Sequence, residues 1–208
     1  DSMGYFPFFI DIAGADGLVV GGGTVALRKV EKLLPYAPRL TLIAPDIRPE
    51  LEEIPGLTIF RRAVQPQDLE GRTFVIAAAG DRAVNCDLSR LCRERNIPVN
   101  VVDNKQESSF LFPCLIKRGS LSVGISTGGD SPSAAIYWKE RFGALIPEGM
   151  EDILDYLARE RLAIKETVPQ LKQREAILKA LFVACMEYGR PLTPGEREEL
   201  VPRMEETP

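Results

Sequence analysis

The chain has 208 residues, 45% of them hydrophobic and 27% charged, and a formal net charge of −4 at pH 7. That describes a globular chain long enough for a sizeable core, and excludes a collagen-like, disordered or wholly coiled-coil protein. Net negative charge argues against a general nucleic-acid or anionic-membrane surface. Zero histidine removes His-based triads, a His general base and the commonest zinc ligand together.

Phe6 to Asp11 is an apolar run that reads as a strand, followed by a turn over Ala13–Gly17 that contains Asp16-Gly17. Leu18-Val19-Val20 is a short buried strand that runs straight into Gly21-Gly22-Gly23. A helix starts at Thr24 and turns Ala26, Val30, Leu33 and Leu34 inward, with Pro35 and Pro38 closing it. Further strands are expected at Leu40–Ala44, Leu57–Phe60, Thr73–Ala78 and Pro98–Val102, with a helix from Arg82 to Arg95 that turns Leu88, Leu91 and Cys92 inward. Short, continuous apolar strands alternating with helices imply a parallel sheet covered on both faces.

The pattern then changes. Ser109–Ile116 and Ser120–Ser126 read as a hairpin around Arg118-Gly119. A Gly-rich loop leads to Ser131-Pro132, an N-cap with Pro at the first helical position, and a helix runs on to about Leu145. Pro147–Gly149 reads as a linker to three helices near 149–166, 169–188 and 193–206. Residues 148–208 hold 13 acidic and nine basic side chains, so the helical tail carries the net negative charge. The expected fold class is α/β, with a Rossmann-type parallel sheet over 1–107, a small dimerisation segment over 108–147 and a helical carboxy-terminal region over 148–208.

The uncharged stretch Gly17–Leu27 is too short to span a bilayer, and Asp1, Asp11 and Asp16 stand where a signal peptide has basic residues. Cys86, Cys92, Cys114 and Cys185 form no CxxC pair. The expectation is a cytoplasmic protein with reduced, mostly buried cysteines and neither membrane nor nucleic-acid partners.

Gly21-Gly22-Gly23-Thr24-Val25-Ala26 fits G-x-G-x-x-A. The first Gly permits the tight turn, Gly23 keeps a side chain out of the pyrophosphate's path, and Ala26 lets helix and strand pack closely. The free N–H groups at the helix start face the phosphates. The motif follows a strand and opens a helix, the context that gives it meaning. A ribose-binding acid belongs about 20 residues later. Asp46, after Pro45, is the candidate, and an acid there favours NAD over NADP. Asp46 reads alternatively as a turn or capping residue. Small residues at Ala78-Ala79-Gly80 leave room for a cofactor over the strand end, or simply pack closely.

Asp103 ends the fifth strand, where ligands of open parallel sheets bind. Without histidine, it is the leading general base, with a strand-end cap as the bland alternative. Asn104, Lys105, Glu107 and Ser108 follow in the same loop as possible substrate contacts. The loop carrying Ser126, Thr127, Gly128 and Gly129 puts backbone N–H groups at a helix start, suited to substrate carboxylates and equally to an ordinary capped helix.

The runs Phe6-Pro7-Phe8-Phe9-Ile10, Val19 to Lys29, Ala77-Ala78-Ala79, Asn100-Val101-Val102-Asp103, Ser109-Phe110 with Pro113, and Ser126 to Pro132 together resemble the siroheme-synthase amino-terminal family over about residues 5 to 145. These are precorrin-2 dehydrogenases, some of which are also sirohydrochlorin ferrochelatases. The resemblance implies an NAD-binding Rossmann domain, a homodimer, and oxidation of precorrin-2, a reduced tetrapyrrole with eight carboxylates, to sirohydrochlorin. It implies ferrous iron as a further substrate in some members. The family's important aspartate falls on Asp103, and its cofactor-contacting positions on Gly21–Val25 and Pro45-Asp46. Phe110 or Phe112 would supply part of an apolar floor. The trifunctional members carry a fused methyltransferase domain, so methyl transfer is not expected of these 208 residues. Members commonly carry a basic residue where this chain has Asp16-Gly17. The rival reading from another class is a non-enzymatic NAD-sensing module, which needs the Gly cradle but not Asp103.

Overall fold

The computed structural model describes residues 4–201, which form two compact units: 4–113 with 128–130, and 114–127 with 131–201. The first unit is built on five strands: β1 (Asp16–Val20), β2 (Arg39–Ile43), β3 (Thr58–Phe60), β4 (Phe74–Ala77) and β5 (Val99–Val101). All pair in parallel, in the order β3-β2-β1-β4-β5. Three helices belong to it: α1 (Thr24–Leu33), α2 (Pro49–Glu52) and α3 (Arg82–Glu94). The α/β Rossmann-type architecture is the one expected.

Strand side chains alternate between two cores, as the period of two requires. Leu18, Val20, Val75, Ala77, Val99 and Val101 pack with Leu88 and Cys92 of α3. Val19, Leu40, Leu42, Phe74 and Ile76 pack on the other face with Ala26, Val30 and Leu33 of α1. Burial of both faces explains why the strands read as continuous apolar runs. All four cysteines are free thiols; Cys92 and Cys185 are buried, and burial pushes the Cys92 thiol up to about 11.

Three expectations are corrected here. Phe6–Asp11 is not a strand: it is unpaired coil, and Phe6, Phe8, Phe9 and Ile10 are each at least 74% exposed. The outer edge of β5 offers such a run no place. There, the amides of Val99 and Val101 donate to the hydroxyls of Ser109 and Ser108 at 2.8 and 2.9 Å, and Ser109 N–H donates to Val99 O. Leu34 does not turn inward either. α1 stops at Leu33, Leu34–Tyr36 tightens into a 3-10 turn, and the Leu34 side chain is exposed. The strand expected from Ser109 begins only at Cys114, because Ser108 and Ser109 spend their hydrogen bonds on β5.

The second unit holds the antiparallel hairpin β6 (Cys114–Arg118) and β7 (Leu121–Ile125), with Gly119 at φ 53 in its turn, and the helices α4 (Pro132–Leu145), α5 (Met150–Thr167), α6 (Leu171–Tyr188) and α7 (Pro194–Leu200). Ile153, Tyr156, Ile164, Ile177, Leu181 and Cys185 form the core of the last three helices. The last helix was expected to reach residue 206; α7 ends at Leu200, and 202–206 lie outside the described residues. No described helix is long and apolar enough to cross a membrane.

Candidate active site

Strand order 3-2-1-4-5 places a topological switch point between β1 and β4, and ligands of such sheets bind outside the carboxyl ends of the strands there. Four sequence-predicted groups lie at those ends: Gly21–Gly23 after β1, Pro45-Asp46 after β2, Ala79 after β4 and Asp103 after β5.

The glycine cradle is stitched into its neighbours. Gly21 N–H donates to Ile43 O at 3.0 Å, and Arg48 N–H donates to Gly22 O at 2.9 Å. Gly21 stands at φ 127, and a Cβ there would collide with the Ala78 carbonyl. A Cβ on Gly22 would collide with the Asp46 carbonyl. Gly23 differs: its Cβ would meet nothing within 4 Å, which leaves open space in front of the start of α1. Gly23 caps α1 without a side-chain acceptor. By contrast, Asp81 accepts from Ala83 N–H at the start of α3, and Ser131 from Ala134 N–H at the start of α4. The start of α1 thus combines unfilled space, no side-chain cap and the positive end of a helix. Thr24 and Val25 are exposed beside it. These residues fit the pyrophosphate of a dinucleotide.

Asp46 is exposed, and its carbonyl lies against Gly22. Arg48 reaches the same place: its guanidinium donates to Thr24 Oγ1 at 3.2 Å and pairs with Glu50 at 2.5 Å. Ala79 is held by Asn85, whose Oδ1 accepts from Ala79 N–H at 3.0 Å and whose Nδ2 donates to Ala79 O at 2.9 Å. The spacing of the chain contained no signal for Asn85 or for the reach of Arg48.

Asp103 is exposed at φ 56, in the left-handed region that non-glycine residues seldom occupy. The loop behind it is held by its own hydrogen bonds. Ser108 is buried, and its hydroxyl accepts from Val101 N–H and donates to Asn104 O at 2.8 Å, so it is not available to a substrate as expected. Asn104 Oδ1 accepts from Glu107 N–H at 3.3 Å. Lys105 pairs with Asp130 at 3.5 Å and lies beside Gly128 and Gly129. Within the second unit, Thr127 Oγ1 accepts from Ser131 N–H and donates to Ser131 O, fixing the loop before α4, while Ser126 is exposed. Phe110 and Phe112 are half-buried against the α1-side core, with ring centroids 6.1 Å apart.

One group escaped the reading of the sequence. Lys29 lies three residues after Ala26 and four before Leu33, so a charge sits on the apolar stripe of α1. Its Nζ donates to Asn100 Oδ1 at 3.2 Å and stands 3.9 Å from the centroid of the Phe112 ring. Burial, with Lys32 adding to it, lowers the amine to about 8, and Asp103 opposes the shift. The available signal was two polar residues, Lys29 and Asn100, each interrupting an apolar stripe.

A family described as "Putative NAD(P)-binding" matches residues 8–114, the segment that carries the sheet and the cradle. The chain belongs to this NAD(P)-binding family. It is also 37% identical over 183 residues to the siroheme synthase of Pseudomonas paraeruginosa, an alignment that covers 86% of this chain and 39% of that protein. The siroheme synthase of Nitrosomonas europaea is 35% identical over 196 residues, covering 90% of this chain and 41% of that one. The chain therefore spans about two fifths of the length of these curated relatives. The solved structure described as SirC, precorrin-2 dehydrogenase, has a TM-score of 0.76 and 24% identity, with 98% of this chain and 100% of that chain covered. That likeness shows the fold of this chain, and the siroheme-synthase resemblance read from the motifs stands.

Proposed function

We propose that this chain is an NAD-dependent precorrin-2 dehydrogenase. The observation that carries the reading is the exposed carboxylate of Asp103, held in a left-handed turn at the same end of the sheet as the open Gly23 cradle. The siroheme-synthase likeness supports the substrate.

When bound, the nicotinamide accepts a hydride. The cradle of Gly21, Gly22 and Gly23 would hold the pyrophosphate against the start of α1, and Asp46 would accept hydrogen bonds from a ribose. Asp103 would take the proton that leaves precorrin-2 as the hydride departs. The reaction then balances: precorrin-2 and NAD⁺ give sirohydrochlorin, NADH and one proton. Lys105, with the backbone of Gly128 and Gly129 beside it, offers a positive, donor-rich edge to substrate carboxylates. Ferrous iron would be a second substrate: four tetrapyrrole nitrogens supply its ligands, and Asp103 would accept the displaced pyrrole protons.

A cytoplasmic homodimer belongs to the same proposal. Ile136, Tyr137, Trp138, Phe142 and Leu145 of α4 are each at least 41% exposed, which supports self-association through the segment before the helical tail.

The test is anaerobic incubation with enzymatically generated precorrin-2 and NAD, following NADH absorbance and the tetrapyrrole spectrum, with cobalt or ferrous iron in a second stage. NADH formation that depends on precorrin-2 is expected. Asp103→Asn tolerates the left-handed turn and removes the base, so it should keep NAD binding and lose oxidation. No NADH from folded, NAD-binding protein would move the sensing module to first place.

A further inference from the structure

Lys105 lies two residues after Asp103, and its amine already has a partner. Nζ stands 3.5 Å from an Asp130 carboxylate oxygen, with 37% of the lysine side chain and 84% of the aspartate side chain exposed. The lysine backbone is fixed: Lys105 O accepts from Ser108 N–H at 3.2 Å and from the Tyr5 hydroxyl at 3.4 Å. The Tyr5 ring centroid is 5.9 Å from Nζ. The stem of Lys105 runs along Gly128 and Gly129, where added Cβ atoms would stand 3.8 Å from Nζ and 3.3 Å from Cδ. Both glycines have positive φ, 65 and 89, so the turn that brings Asp130 to the amine is one that L side chains rarely adopt. An exposed ion pair of this kind adds little to stability, and a competing carboxylate can replace it at little cost.

We propose that Lys105 is the residue that takes a substrate carboxylate, and that Asp130 is an intramolecular stand-in that holds this place until the substrate arrives. The inference rests on the dehydrogenase reading above and adds a displacement to it: one carboxylate of precorrin-2 replaces Asp130 on the amine, and Asp130 turns out to water. The pair itself places a carboxylate at the amine, beside the glycine turn and on the side open to solvent. Because Asp130 is so exposed, its departure uncovers no apolar surface. The exchange makes affinity a difference: what the substrate gains at Lys105 is reduced by what Asp130 gives up. A ligand with a single carboxylate exchanges like for like and gains nothing. A polycarboxylate adds its contacts elsewhere, so the stand-in discriminates in its favour.

Equilibrium titration with sirohydrochlorin, the product that keeps the carboxylates of precorrin-2, tests this without turnover. Lys105→Met should weaken binding about tenfold, the value of one charge-assisted contact. Asp130→Asn should tighten it about two- to fivefold, the range of an exposed ion pair. The double variant should bind like Lys105→Met alone, because the stand-in has no amine left to occupy. In precorrin-2 oxidation the same changes should appear in KM rather than in kcat, with the thermal unfolding midpoint as the check on folding. An affinity that Asp130→Asn leaves unchanged or weakens overturns the proposal. So does an equal gain from Asp130→Asn in the Lys105→Met background, which would mark Asp130 as a general repulsive charge. A wild type that neither binds sirohydrochlorin nor forms NADH overturns the dehydrogenase reading, and the exchange with it. A wild type that does both, with single variants that bind as it does, overturns only the stand-in.

Discussion

Asn85 and Ala79 exchange two hydrogen bonds, the side-chain amide of one closing on the backbone N–H and C=O of the other at 3.0 and 2.9 Å. Asn85 lies on α3 and is 7% exposed, so the start of that helix is locked to the loop that leaves β4. The loop forms one wall of the proposed cofactor site. Asn85→Ala would leave both backbone groups of Ala79 without that partner. The expected effect is a loss of about 1–3 kcal/mol in urea unfolding and a weaker NAD affinity measured by titration. Asn85→Asp would restore the acceptor but not the donor, and should fall between the two.

The two inner glycines of the cradle should behave differently. Gly22→Ala places a methyl group into the Asp46 carbonyl and Ile47 backbone, so the β1 and β2 ends must separate and the protein should unfold at lower denaturant concentration. Gly23→Val places its side chain in empty space at an extended backbone, φ −91 and ψ −171. Gly23→Val should keep wild-type stability and lose dinucleotide binding by calorimetry. Full NAD affinity in Gly23→Val would mean that the pyrophosphate does not cross that point.

Cofactor choice should turn on Asp46 and Arg48. The carboxylate of Asp46 favours a free ribose hydroxyl, while the Arg48 guanidinium, tethered to Thr24 and Glu50, is the nearby cation. Asp46→Ser should weaken NAD by about tenfold, the value of one charge-assisted hydrogen bond, and tighten NADP. An unchanged ratio of the two dissociation constants would show that the Asp46 carboxylate points away from the ribose.

Acid should loosen the last helix early. Arg190 pairs with Glu196 at 2.8 Å, Thr193 N–H donates to the same carboxylate, and together they hold it down to about 2. A carboxylate lowered in the folded state adds stability that is present above its unfolded value and is lost as pH falls toward the folded one. Protection of α7 amides in hydrogen exchange should therefore fall between about pH 4.5 and pH 2. Glu196→Gln should show weaker protection at pH 7 and lose that dependence.

Much of the first unit was legible from residue order. Apolar runs at Leu18–Val20, Leu40–Ile43 and Phe74–Ala77 have one stable solution when helices separate them: a parallel sheet buried on both faces. The glycine motif and Asp103 followed, because strand ends in such a sheet share one edge. Phe6–Ile10 has the same local character and forms no strand. Pairing needs a free edge, and at β5 Ser108 and Ser109 occupy it with side-chain oxygens.

Composition and periodicity by themselves determined the class of fold, the position of the cradle and the acid at the end of β5. These are local properties of short segments. Only the tertiary structure decided which glycine is required by packing and which stands before open space, that Asp103 adopts a left-handed turn, and that Lys29 meets Asn100 and Phe112 across more than 70 positions of chain. Those facts depend on distances between segments remote in sequence, and such distances are set by how helices pack on the sheet rather than by the pattern of any one segment.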